Sequence, residues 1–138
     1  MIKERYCSYE VAKLLKEKGF DEVCTCLYYN GDWEFVNDNA YEHVIRNSSI
    51  VNKDFITAPT HQMACDWLMR LGIYICPTYC SFQRHKKYDA PCCKWEPTIL
   101  SLLSSAPLYP QPLDMYEYFN TFGEAVDFCI KYALENLV

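Results

Sequence analysis

The chain has 138 residues, 51% of them hydrophobic and 16% aromatic, which suits one packed domain and excludes the low-hydrophobicity composition of a disordered chain. Its formal charge of −5 is one-sided: residues 1–87 carry 11 basic and 11 acidic side chains, residues 88–138 carry 2 and 7. No apolar run reaches the roughly 18–20 residues that cross a bilayer, and the charged start Met1-Ile2-Lys3-Glu4-Arg5 leads into an amphipathic pattern rather than a signal-peptide core, so a soluble, cytoplasmic protein with no membrane partner is expected.

The first element is a helix over residues 9–18. Ser8 caps it, Glu10 suits its positive end, Val11, Leu14 and Leu15 form one apolar stripe, and Gly19 ends it, with Phe20 folding back. Asn30-Gly31 then supplies the positive φ angles of a two-residue type I′ hairpin turn. That turn pairs Tyr29 with Asp32, Tyr28 with Trp33, Leu27 with Glu34 and Cys26 with Phe35, and gathers Cys24, Cys26, Tyr28, Trp33 and Phe35 on the core-facing side. Residues 37–55 read as a polar loop, with Tyr41, Val44 and Ile45 spaced for short helical turns, and as a candidate contact surface.

A second helix is predicted from near Thr57, with Ala58 and Pro59 in its first turn, Ala64, Trp67, Leu68 and Leu71 on one face, and Gly72 closing it. Strands follow over Ile73–Cys76 and Thr78–Phe82, then a turn over Arg84–Pro91, then a strand over Cys92–Leu100 that Pro97 makes an edge or bulged one. Residues 104–112, with Pro107, Pro110 and Pro112, read as extended, and Leu113–Phe119 as a short last strand. Thr121-Phe122-Gly123-Glu124 fits a capping box, and Val126, Cys129, Ile130, Ala133 and Leu137 carry a final helix almost to Val138. The order predicts an α+β fold, a single compact domain over residues 1–138. Three main helices pack on a small antiparallel or mixed sheet in the order α-β-β-α-β-β-(β)-α.

The nine cysteines are an odd number without an export signal and read as reduced, core-filling thiols. A zinc or thiol centre could be drawn from Cys76, Cys80, Cys92, Cys93 and His85, but no Cys-x-x-Cys is present and adjacent cysteines in a strand face opposite ways, so no metal site and no cofactor is assigned. His61 and Cys65 are neighbours on a helix surface, yet Cys65 lies too far inside the helix to gain a thiolate-stabilising dipole. Nucleotide-loop and hydrolase-elbow motifs are missing, and no catalytic residue is assigned. The basic run Arg84-His85-Lys86-Lys87 is too small a field for a nucleic-acid surface.

What remains is an aromatic contact segment around the prolines: Tyr109, Met115, Tyr116, Tyr118 and Phe119, suited to a protein partner. The expected function is therefore non-catalytic binding or accessory work. A small thiol- or zinc-dependent enzyme, or a zinc-stabilised domain, built on Cys76, Cys80, Cys92 and Cys93 is the alternative. Partner identity and oligomeric state are not specified by the sequence.

Three blocks carry a resemblance: Cys7-Ser8-Tyr9-Glu10-Val11-Ala12-Lys13-Leu14-Leu15 through Gly19-Phe20; Ile56-Thr57-Ala58-Pro59-Thr60-His61-Gln62-Met63-Ala64 with Trp67-Leu68; and Phe122-Gly123-Glu124-Ala125-Val126. Over about half the chain they resemble a group of small proteins, without assigned activity, encoded by phages and prophages of gut bacteria. The resemblance implies a phage-derived accessory protein acting in the bacterial cytoplasm and transfers no site residue.

Overall fold

A computed structural model describes residues 6–35, 45–80, 94–101 and 119–138. The described residues form a mixed α+β structure with the α-helices α1 (Tyr9–Glu17), α2 (His61–Arg70) and α3 (Phe122–Asn136) and short antiparallel strands. Among the described residues no helix is long and apolar enough to cross a membrane.

Each helix begins on a hydroxyl cap. Ser8 Oγ accepts from Val11 N at 3.3 Å, Thr60 Oγ1 from Met63 N at 3.2 Å, and Thr121 Oγ1 from Glu124 N at 3.1 Å. Gly19 and Gly72 follow α1 and α2 at φ +94° and +85°, the left-handed geometry that lets a chain leave a helix sharply. Phe20 then buries fully against the core, its backbone N–H bonding to Leu15 O at 2.9 Å.

The hairpin forms in the predicted register. β1 (Cys26–Tyr29) and β2 (Asp32–Phe35) pair Cys26 with Phe35 through Tyr29 with Asp32, and Asn30 and Gly31 take φ +49° and +89° in the turn. A third strand, β3 (Phe55–Thr57), pairs with the other edge of β1, Tyr28 facing Ile56, to give a sheet of order β2-β1-β3. Here two expectations need correction. The end of the 37–55 loop is structured, through the 3-10 turn Asn47–Ser49, the bridge between Ile45 and Cys24, and β3 itself. And α2 starts at His61 rather than near Thr57, because the unpaired edge of β1 draws Phe55–Thr57 into a ladder and leaves Thr60 to cap the helix. Leu71, assigned to the apolar face of α2, is the C-cap and is half exposed.

After α2, β4 (Ile73–Ile75) pairs with β7 (Ile99–Ser101), and β5 (Thr78–Cys80) with β6 (Lys94–Glu96). The two pairs share one register, since Ile75 opposes Ile99 and Thr78 opposes Glu96; Cys76 therefore falls opposite Thr98, and Pro77 opposite Pro97. Cys76 N donates to Thr98 O at 2.9 Å, so ladder alternation puts the two prolines, which have no N–H to give, at a pair of positions where the ladder needs none. Pro97 thus interrupts the ladder while fully buried. Trp95 uses its outward N–H and C=O to bridge Phe119, at 2.8 and 2.9 Å.

One core cluster joins the three helices to this ladder: Val11 and Leu15 from α1, Ala64 and Leu68 from α2, Ile73, Ile75 and Ile99 from the strands, and Val126, Cys129, Ile130, Ala133 and Leu134 from α3. A second holds Ala12, Cys26, Tyr28, Ile56 and Ala58. Three contacts fix α1 alongside α3: Ser8 to Asp127, Glu10 to Lys131 and Lys18 to Val138. Their rising order on both helices means that α1 and α3 run in the same direction.

Candidate functional site

The N-termini of α1 and α2 converge on one carboxylate in the second turn of α3. Asp127 Oδ1 accepts from Ser8 N at 2.9 Å and lies 3.3 Å from His61 Nε2. Burial alone pulls the Asp127 pKa upward, but the hydrogen bonds from His61 and Ser8 outweigh it and hold the carboxyl below its ordinary value. The positive ends of two helices are a natural seat for that charge.

Cys7 is drawn to the same point by its neighbours. Tyr6 bridges Thr60, Cys7 N donates to Pro59 O at 2.9 Å, and the Tyr28 hydroxyl donates to Cys7 O. The Cys7 thiol is fully buried, and its sulfur, a His61 ring nitrogen and an Asp127 carboxylate oxygen all lie within 4.8 Å of one another. Cys7 is no ready nucleophile: burial first, and the Asp127 charge second, push its pKa well above the usual thiol value.

Above these groups opens a cleft of about 580 Å³, within the size range of small-molecule sites. Tyr6, Phe119 and Phe128 give it aromatic walls, the Phe119 and Phe128 rings lying 5.1 Å apart, and among the described lining residues Glu10, Glu124 and Asp127 give it three carboxylates against the Lys131 ammonium. Lys131 is already engaged by Glu10 Oε2 at 2.9 Å. The cleft is thus acidic, with a polar floor and flat apolar sides.

Of the residues weighed for chemistry or partner contact in the sequence, Phe119 and His61 reach this cleft, where the cap residues Ser8, Glu10, Thr121 and Glu124 also lie. Tyr109, Met115, Tyr116 and Tyr118 lie outside the described residues, as do the Pro-rich stretch 104–112 and His85, Cys92 and Cys93. Cys76 is half-buried in the ladder opposite Thr98, with its pKa raised by burial. His61 turns to Asp127 rather than forming a pair with Cys65, whose thiol burial pushes up to about 11, helped by Asp66. Two residues of the site, Cys7 and Asp127, went unmarked by any motif. The usable signal for Asp127 was a carboxylate between the apolar positions Val126, Cys129 and Ile130 of an otherwise core-facing stretch.

Comparison with known proteins gives no match, whether to a family model, to a curated protein sequence or to a solved structure.

Proposed function

We propose that the protein is a non-catalytic binding protein whose cleft between residues 6–10, His61 and the first half of α3 takes a small cationic molecule with a flat apolar group. The observation that carries this reading is the cleft itself: aromatic walls from Tyr6, Phe119 and Phe128 and, among the described lining residues, the carboxylates of Glu10, Glu124 and Asp127 against the Lys131 ammonium, which Glu10 already pairs. An amine gains charge-assisted hydrogen bonds from the acidic side, and its ring covers the exposed apolar surface of the Phe119–Phe128 pair. Nucleophilic catalysis by Cys7 or Cys65 is disfavoured by the same geometry, since burial holds both as neutral thiols.

Thermal shift with phenethylamine and with phenylpropanoate, matched in shape and opposite in charge, tests the reading. Stabilisation by the amine alone, reduced in Glu124→Gln and in Phe128→Ala, is the expected outcome. Equal or stronger stabilisation by the acid would overturn the assignment of charge, because it would mean that the α3 N-terminus and Lys131 dominate the field.

A further inference from the structure

We infer that Cys7, His61 and Asp127 together bind one divalent transition-metal ion, zinc by donor chemistry, at the floor of the cleft. This goes beyond the organic ligand proposed above and does not need it, because a metal uses neither the aromatic walls nor the outer carboxylates.

Three arguments support the site. The first is composition: sulfur, imidazole nitrogen and carboxylate oxygen form the mixed donor set that suits zinc, and they come from three separate elements, the strand-like segment before α1, the first turn of α2 and the second turn of α3. The second is distance. The three donor atoms lie within 4.8 Å of one another, and His61 Nε2 and Asp127 Oδ1 are 3.3 Å apart. That separation is at the long end of hydrogen-bond distances. It matches the edge of a tetrahedral site, because ligand bonds of about 2.0–2.1 Å to nitrogen and oxygen place those atoms roughly 3.3 Å apart.

The third argument is charge. A Cys7 thiolate and an Asp127 carboxylate neutralise a divalent ion, so the loaded site buries no net charge. On binding, the Sγ–H bond breaks as the Sγ–metal bond forms and the proton leaves through the cleft to solvent. His61 coordinates as the neutral ring with its proton on Nδ1, and its contact with Asp127 gives way to two ligand bonds. No oxidant or reductant takes part. Three protein ligands leave a fourth position on the cleft side, since His61 and Asp127 line the cleft and Cys7 is buried behind them. That open position is the arrangement of zinc sites that exchange water or ligand, as opposed to closed four-ligand structural sites.

Titration of the reduced, chelator-treated full chain with cobalt(II) alone reads the site directly. The expected result is one equivalent bound with a thiolate-to-cobalt charge-transfer band in the near ultraviolet, bleached by one equivalent of zinc. Cys7→Ser abolishes the band, whereas Cys65→Ser leaves it unchanged. His61→Ala, whose thermal melt verifies folding should Cys7→Ser fail to fold, weakens cobalt binding at least tenfold. Absence of the band in the native chain, its survival in Cys7→Ser, or undiminished affinity in a folded His61→Ala protein would each overturn the proposal. Failure of the metal-free chain to bind the amine, with the cobalt band intact in a separate titration, would count against the cleft reading alone.

Discussion

Ile130→Ala probes the packing that holds α3, and with it Asp127, in place. Ile130 is fully buried among side chains from α1, α2 and the β4–β7 pair. Replacing it with alanine removes three carbons, a transfer loss of about 2.4 kcal/mol at about 0.8 kcal/mol per methylene. Residues from α1, α2, β4 and β7 surround the gap, so it closes only in part, and a residual cavity of roughly 50 Å³ at about 24 cal/mol per Å³ adds about 1.2 kcal/mol. The expected cost is about 3.5 kcal/mol, a large share of the roughly 5–15 kcal/mol that stabilises an ordinary domain. Urea unfolding followed by circular dichroism measures it: the midpoint falls while the slope stays that of the parent. Val51→Ala, at a position 97% exposed, serves as the control and changes stability by less than about 0.5 kcal/mol. A cost below about 1 kcal/mol for Ile130→Ala would refute the placement of α3 at the centre of the core.

Other consequences are independent of that one. Thr121→Ala removes the acceptor for Glu124 N and should cost about 1 kcal/mol, read from the same urea curves; no change would show the cap to be idle. Gly31→Ala meets only ordinary contacts with the Tyr9 ring but sits at φ +89°, so strain in the hairpin turn should lower the thermal midpoint, whereas an unchanged midpoint would contradict the type I′ turn. In peptide-mapped alkylation of native protein near neutral pH, Cys7, Cys24, Cys65 and Cys129 should label slowly compared with the unfolded chain, and rapid labelling of Cys65 would reopen the thiol-enzyme alternative. Alkali should also destabilise the fold. Burial pushes Cys24 and Cys65 up to about 11 and Cys129 and Tyr28 up to about 12, while in the unfolded chain thiols ionise near about 8.5 and tyrosine near about 10. The unfolded state therefore binds fewer protons across this window, so stability is full below about pH 8.5 and declines towards pH 11–12. A urea midpoint that rises between pH 8 and pH 10.5 would contradict the burial of these groups.

The elements that could be read from the sequence are those with a local cause. Asn30-Gly31 fixes the backbone of its own turn and hence the register of four residue pairs on either side, and Ser8, Thr121, Gly19 and Gly72 mark helix ends through bonds made within a few residues. β3 was hidden because three residues, Phe55–Thr57, carry no alternation to read, and only the open edge of β1 makes them a strand. The start of α2 is ambiguous in the sequence for a related reason: Thr57 and Thr60 offer the same capping hydroxyl, and the pairing of β3 decides between them. The candidate site was least legible. His61 and Asp127 are 66 positions apart and meet Cys7 only once α1 and α3 lie side by side, whereas sequence spacing points His61 to Cys65, its neighbour along the helix.

The most direct test of the ligand-binding account is amide-detected NMR of the labelled full chain titrated with phenethylamine. Saturable shifts clustered on Tyr6, Glu10, His61, Phe119, Glu124 and Phe128, around the cleft, are the predicted result. Shifts confined to other surfaces, or none at millimolar amine, would contradict it.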